Sequence, residues 1–157
     1  MSRGNDSGEE DGPSGEFRSC IADLIPHPHI RNLAFYPGHR FNNNGSGRLL
    51  HSYSVAWLSY RMARRLGLDP RTAARAGLLH DIGYNREDSL LRNILLHARR
   101  GAVRARSIGE RREVCEAISR HMFPLTPPPL SRHGMLLWTA DKTAALLEFL
   151  GLEKLIW

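Results

Sequence analysis

The sequence is poor in cysteine, in long apolar runs and in strand-like alternation, and each shortage excludes something. Cys20 and Cys115 are the only cysteines. They lie far apart, form no thiolate metal motif, and read as two reduced thiols of a cytoplasmic protein. No apolar stretch reaches the ~18–20 residues that span a bilayer. The N-terminus has no charged region followed by an apolar run, so no secretory signal is expected. No segment alternates apolar and polar residues as a half-buried strand does. What remains is helix. Hydrophobic residues make up 41 % of the 157, enough for one domain with a real core.

Charge is present but uneven. The net charge is +6, yet residues 1–16 hold five acids against Arg3, which leaves +10 on the rest. That Gly/Ser/acid-rich opening reads as a disordered tail, with one domain over 17–157. The basic remainder suits an anionic partner, most simply a phosphorylated small molecule. Arg99, Arg100, Arg104, Arg106, Arg111 and Arg112 could in principle follow a nucleic acid. They lack interleaved aromatics on which bases could stack, which makes that partner the weaker expectation. Nothing in the sequence sets the oligomeric state.

Helical periodicity organises the chain as an all-α bundle. FRSCIADLI (17–25) suggests a short helix closed by Pro26, and 26–47 reads as loop. His51, Val55, Leu58, Met62 and Leu66 recur on one face of a long helix that stops at Gly67. Asp69 and Pro70 start the next helix as N-cap and N1, and it runs through RTAARAGLLHDI to Gly83. Residues 84–96 read as loop and then a short helix through LLRNILL. HARRGAVRARSI and ERREVCEAISRHM suggest two helices broken near Gly109. PLTPPPL (124–130) forbids regular structure. MLLWTADKTAALLEFL (135–150) forms the last helix.

The chemistry lies where apolar faces carry polar groups. GLLHDIGYN ends an apolar helix in His80 and Asp81. His51 heads the apolar face of the preceding long helix. Asp141, with Leu137 and Ala144 at neighbouring helical positions, sits on a core face of the last one. A buried, unpartnered carboxylate is expensive or forced neutral. No Lys or Arg obviously occupies these inner faces, although Lys142 is adjacent. A metal ion, with His51 and His80 as neutral nitrogen ligands, is the economical partner. Each residue alone has an ordinary structural explanation; three helix faces together do not.

The His of LLHSYSVAWLSYRMA, the pair in GLLHDIG and the Asp of WTADKTA resemble the HD-domain superfamily of metal-dependent phosphohydrolases, over roughly residues 48–150. His97 in LLHARRGA and His121 in ISRHM extend the order to His, His-Asp, His, His, Asp. That order is similar to bacterial HD proteins that hydrolyse diadenosine tetraphosphate. The resemblance implies an all-α HD domain with His51, His80, Asp81 and Asp141 on one metal. His97 and His121 would serve a second metal, with Asp81 bridging. The all N/O donor set favours Mn, Fe or Co, with Mg possible. It implies hydrolysis of a nucleotide or related phosphoester by a metal-activated water. Asp81 and Lys142 are the expected catalytic residues, with Lys142, Arg86, Arg99 and Arg100 as phosphate clamps. His27, His29, His39 and His133 match no ligand position; His39 falls in a loop expected to cross the site mouth. Two other classes share the pattern: a di-iron oxygenase, and a non-catalytic nucleotide-binding regulatory module.

Overall fold

The computed structural model describes residues 13–36 and 47–157. His39 and all but the end of the acidic tail fall outside the described residues. The order is α1 (Gly15–Ile21), α2 (Pro28–Arg31), a 3₁₀ turn (Asn32–Phe35), α3 (Gly47–Leu66), α4 (Pro70–Leu79), α5 (Leu90–Ser107), α6 (Arg112–Ser119), α7 (Arg132–Phe149) and a last 3₁₀ turn (Glu153–Leu155). The described residues contain no strand.

Local chemistry starts these helices where hydroxyls and carboxylates can cap them. Asp69 accepts from the Arg71 and Thr72 amides, with Pro70 following at N1. Ser14, Ser89 and Ser131 accept from the amides of Phe17, Arg92 and Gly134 and so open α1, α5 and α7. The chain turns between α5 and α6 at Gly109, whose φ is +88°.

Helix α4 lies at the centre, against α1, α3, α6 and α7. It comes closest to α3. A Cβ on Gly77 would stand 2.6 Å from the Ala56 Cα and 2.8 Å from the Ala56 nitrogen. Only a glycine allows the two backbones to meet so closely. This contact widens the expected face of α3, of which His51 and Val55 are buried. Its buried residues are mostly small or polar, namely Arg48, His51, Ser52, Ser54, Val55, Ala56, Ser59 and Ala63, while the buried Trp57 and Tyr60 pack against Phe17 of α1. Leu58 and Met62 sit at the edge, and Leu66 is exposed. Bulky side chains at the crossing would have held the helices apart.

Two further expectations change. Residues 28–35, read as loop, are α2 and a 3₁₀ turn, whose Ile30 and Leu33 are fully buried. LLRNILL and HARRGAVRARS are one continuous helix, α5. Gly101 does not break it, because the glycine leaves room for the Ile118 side chain and the His80 carbonyl, which a Cβ would meet at 3.1 and 3.2 Å.

The apolar core joins α1 to the bundle through Phe17, edge-on to Trp57 and Tyr60 at 5.1 and 5.5 Å between centroids. Leu78, Leu79, Ile82, Ile118 and Leu137 fill the centre. Arg75 ties its margin, reaching Asp23 Oδ1 at 2.7 Å and Glu110 Oε1 from Nε at 3.0 Å. Both cysteines are free thiols. No helix among the described residues is long and apolar enough to cross a membrane.

Candidate metal centre

Helices α3, α5 and α7, the turn after α4 and the turn after α6 each turn polar side chains into one buried space. His51 comes from α3 and His97 from α5. Asp141 comes from α7. His80 and Asp81 occupy the turn that ends α4, and His121 the turn after α6. All six are buried, none more than 5 % exposed. The turn is held by its glycine: a Cβ on Gly83 would run into the His97 carbonyl. The last residue of HDIG therefore lets the His-Asp turn lie directly on α5, which carries His97.

The donor atoms fall into two groups that share one carboxylate. Nitrogens of His51 and His80 and an oxygen of Asp81 lie within 4.8 Å of one another, as do those of Asp81, His97 and His121. Asp81 turns Oδ2 toward His80 Nε2 at 3.4 Å and Oδ1 toward His97 Nε2 at 3.4 Å. Asp141 Oδ1 stands 3.0 Å from His51 Nε2 and 3.5 Å from His80 Nε2.

Backbone carbonyls fix the histidine tautomers. His80 Nδ1 donates to the Gly77 carbonyl, His97 Nδ1 to Asn93 and His121 Nδ1 to Ile118, each at 2.7 Å. A carbonyl can only accept, so Nδ1 carries the hydrogen and Nε2 of a neutral ring carries a lone pair. Burial, with His80 and His97 close by, pushes His121 down to about 3. Burial likewise lowers His97. At neutral pH both rings are neutral, and their Nε2 atoms face each other at 3.1 Å. Two lone pairs at that distance have no hydrogen between them. His80 Nε2 is also buried without a hydrogen-bond partner. Inward lone pairs, shared carboxylate oxygens and no thiolate form a donor set that fits divalent cations.

The remaining charges are strongly coupled. Burial alone would raise Asp81, yet His80, Arg48, His97 and His51 hold it well below the usual carboxylate range. Asp141, also buried, is held low by His51 and His80. Burial works against a charge on His51, but Asp141 and Glu148 outweigh it and lift the ring to about 10.

The HD domain family model matches residues 48–146, well over half of the chain. The chain belongs to the HD domain family. Ribonuclease Y of a Thermus thermophilus strain is 34 % identical over 143 residues, 91 % of this chain and 22 % of that protein. Ribonuclease Y of Oleidesulfovibrio alaskensis is 40 % identical over 93 residues, 59 % of this chain and 17 % of that protein. Ribonuclease Y of Thermotoga maritima is 32 % identical over 137 residues, 87 % of this chain and 25 % of that protein. The chain thus spans a quarter or less of the length of these relatives. No solved structure gives a significant match. The HD domain family is one of metal-dependent phosphohydrolases, and membership implies divalent-metal binding.

Within this HD domain, the expected clamps are placed unevenly. Lys142 Nζ lies 2.7 Å from Asp141 Oδ2, with its side chain 42 % exposed, so it reaches both the cluster and solvent. Arg86 and Arg99 are exposed. Arg100 is engaged by Asp88, which also faces Arg92. His27 caps α2 and His133 faces the Asp69 carbonyl, both outside the cluster.

Two participants escaped sequence reasoning. The inner faces do hold an arginine: Arg48 is buried and donates to Asp81 Oδ2 at 2.6 Å, with its guanidinium 3.7 Å over the Tyr84 ring. Its position, three residues before His51, was the available signal, because that spacing shares a helix face. Glu148, readable as a surface acid, is buried behind His51.

Proposed function

We propose that the chain is a metal-dependent phosphohydrolase of a nucleotide or related phosphoester. His51, His80, Asp81 and Asp141 would hold one divalent cation, and His97 and His121 a second, with Asp81 shared. The observation that carries this reading is the facing pair of neutral His97 and His121 Nε2 atoms beside an oxygen of Asp81.

When bound, two divalent cations supply an activated water nucleophile and stabilise charge on the phosphoryl group. The chain's own residues set the stage. The Gly77, Asn93 and Ile118 carbonyls hold three rings in register, so little reorganisation is needed. Asp81 spans both groups and fixes their separation. Lys142, at the exposed edge, can turn its flexible stem from Asp141 to a phosphoryl oxygen. Arg48 enters the same space from α3 as a second cation for a phosphoryl oxygen. Arg86 and Arg99 remain outer contacts for a longer anion.

A second reading is favoured by the relatives, which are named Ribonuclease Y. On it, the phosphoester is an internal phosphodiester of RNA, and the arginines of α5 guide the strand. A panel of mononucleotides, dinucleotides, generic phosphodiesters and a short single-stranded RNA, assayed with Mn²⁺ after chelation, separates these readings. Turnover of small nucleotides alone supports the first, and internal cleavage of the RNA supports the second. Binding without turnover would make the chain a regulatory module. Turnover that requires iron and dioxygen would make it an oxygenase.

A further inference from the structure

We infer that Glu148 is a positioning residue of the metal centre: it holds the His51 ring from behind, so that Nε2 faces Asp141 and the donor cluster. This rests on the metal-binding reading above. Glu148 Oε1 and Oε2 stand 3.0 and 3.1 Å from His51 Nδ1. The side chains are 3 % and 1 % exposed. The opposite ring nitrogen meets Asp141 at 3.0 Å. Asp141 and Glu148 are seven residues apart on α7, two turns along one face. One helix therefore holds both nitrogens of a ring carried by another.

The placement is unfavourable for an acid that has no buried N–H donor beside it, and His51 supplies that donor. Glu148 lies in the last turn of α7, where the helix dipole opposes negative charge, and no basic residue accompanies it there. It is also buried, at 6 % exposure, near the end of an exposed apolar run that includes Leu146, Phe149 and Leu150. A leucine would fill such a position without either penalty. What the carboxylate adds is a strong acceptor for Nδ1–H. That hydrogen bond fixes the tautomer with Nε2 as the donor to metal, and it makes the ring a more basic ligand. His80, His97 and His121 turn Nδ1 to backbone carbonyls, whereas His51 turns it to a carboxylate. The two donor groups are thereby unequal, and the one containing His51 binds its cation more tightly.

Mn²⁺ titration of the full chain, after chelation, tests this by calorimetry alongside the free-Mn²⁺ electron paramagnetic resonance signal. Glu148→Gln keeps an acceptor without the charge and is nearly isosteric, so the fold survives. It should weaken the tightest Mn²⁺ binding about 10-fold, and Glu148→Ala about 100-fold, as loss of such hydrogen bonds typically does. In the Zn²⁺-loaded protein, nitrogen-15 ring spectra should show a protected His51 Nδ1–H in the parent and in Glu148→Gln, and lose it in Glu148→Ala. Should Glu148→Ala fail to fold, Glu148→Gln decides. Unchanged tightest binding in Glu148→Gln, or equal weakening of every binding event with a lowered Tm, overturns the inference while leaving the metal centre standing. A parent chain that takes up no Mn²⁺ overturns the metal reading itself.

Discussion

Arg48 and Asp81 form the kind of buried pair in which losing one partner does more harm than losing both. Asp81→Asn leaves the Arg48 guanidinium buried without its carboxylate. Chemical denaturation of the chelated protein should show a loss of about 3–5 kcal/mol, and Arg48→Met added to Asp81→Asn should restore part of it. A single-variant loss below about 1 kcal/mol would dissolve the pair. The histidines set the pH response of the metal-free chain. His121, held at about 3, favours the fold above its ordinary 6.5 and loses that contribution as pH falls toward 3. His51, lifted to about 10, contributes fully below 6.5 and loses it as pH rises through 10. The low-lying Asp81 and Asp141 add to the acid limb, since their contribution is present above 3.8 and lost below it. The Tm of chelated protein should therefore peak near pH 6.5 and fall on both sides. A Tm that keeps rising toward about pH 4 contradicts this assignment. Lys142→Ala should keep its metal and lose turnover about 10- to 1000-fold, with partial rescue by Lys142→Arg. Unchanged kinetics would leave the arginines as the clamps.

At the scale of elements, the site depends on how closely α3 and α4 approach. Gly77→Ala places a methyl against the Ala56 backbone, which cannot move aside as a flexible side chain could. The helices must separate, at a cost of about 1–3 kcal/mol. Because His51 rides on α3 and His80 ends α4, Mn²⁺ affinity should fall together with Tm. Gly15→Ala, whose new Cβ meets nothing within 4 Å, is the control and should change neither. The helices were legible wherever periodicity or a cap marked them: Asp69-Pro70 opening α4, the Pro run after α6, and the last helix. What stayed hidden depended on the other side of a contact. LLRNILL and HARRGAVRARS read as separate segments until Gly101 is seen seated under Ile118 and the His80 carbonyl in one unbroken α5. The face of α3 reads as His51, Val55, Leu58, Met62 and Leu66; His51 and Val55 are buried as read, but the close approach of α4 also buries the small residues beside them and Leu66 is left exposed. Arg48 and Glu148 look like solvated charges because their burial comes from partners 33 and 97 residues away. The inward turns of His51, His80, Asp81, His121 and Asp141 were legible, since each sits on or one turn beyond an apolar helical face, whereas His97, in an arginine-rich segment, was marked only by the resemblance to the HD domain.

For the whole molecule, the donor cluster is the point where the helices meet, so its occupancy by metal should govern stability. A ligand that binds only the folded chain stabilises it by about 2.7 kcal/mol at a hundredfold excess over Kd. Chelation should lower Tm and Mn²⁺ should restore it; an unmoved Tm would mean that the donor cluster folds and functions as a plain polar core. The central claim is that Asp81 joins two cation positions, and metal stoichiometry tests it most directly. Elemental analysis of Mn²⁺-loaded protein after gel filtration should give about two ions per chain, falling to about one in His97→Ala and in His121→Ala, with helical content unchanged. Retention of the same stoichiometry in all three proteins, or no bound metal in the parent, would contradict the account.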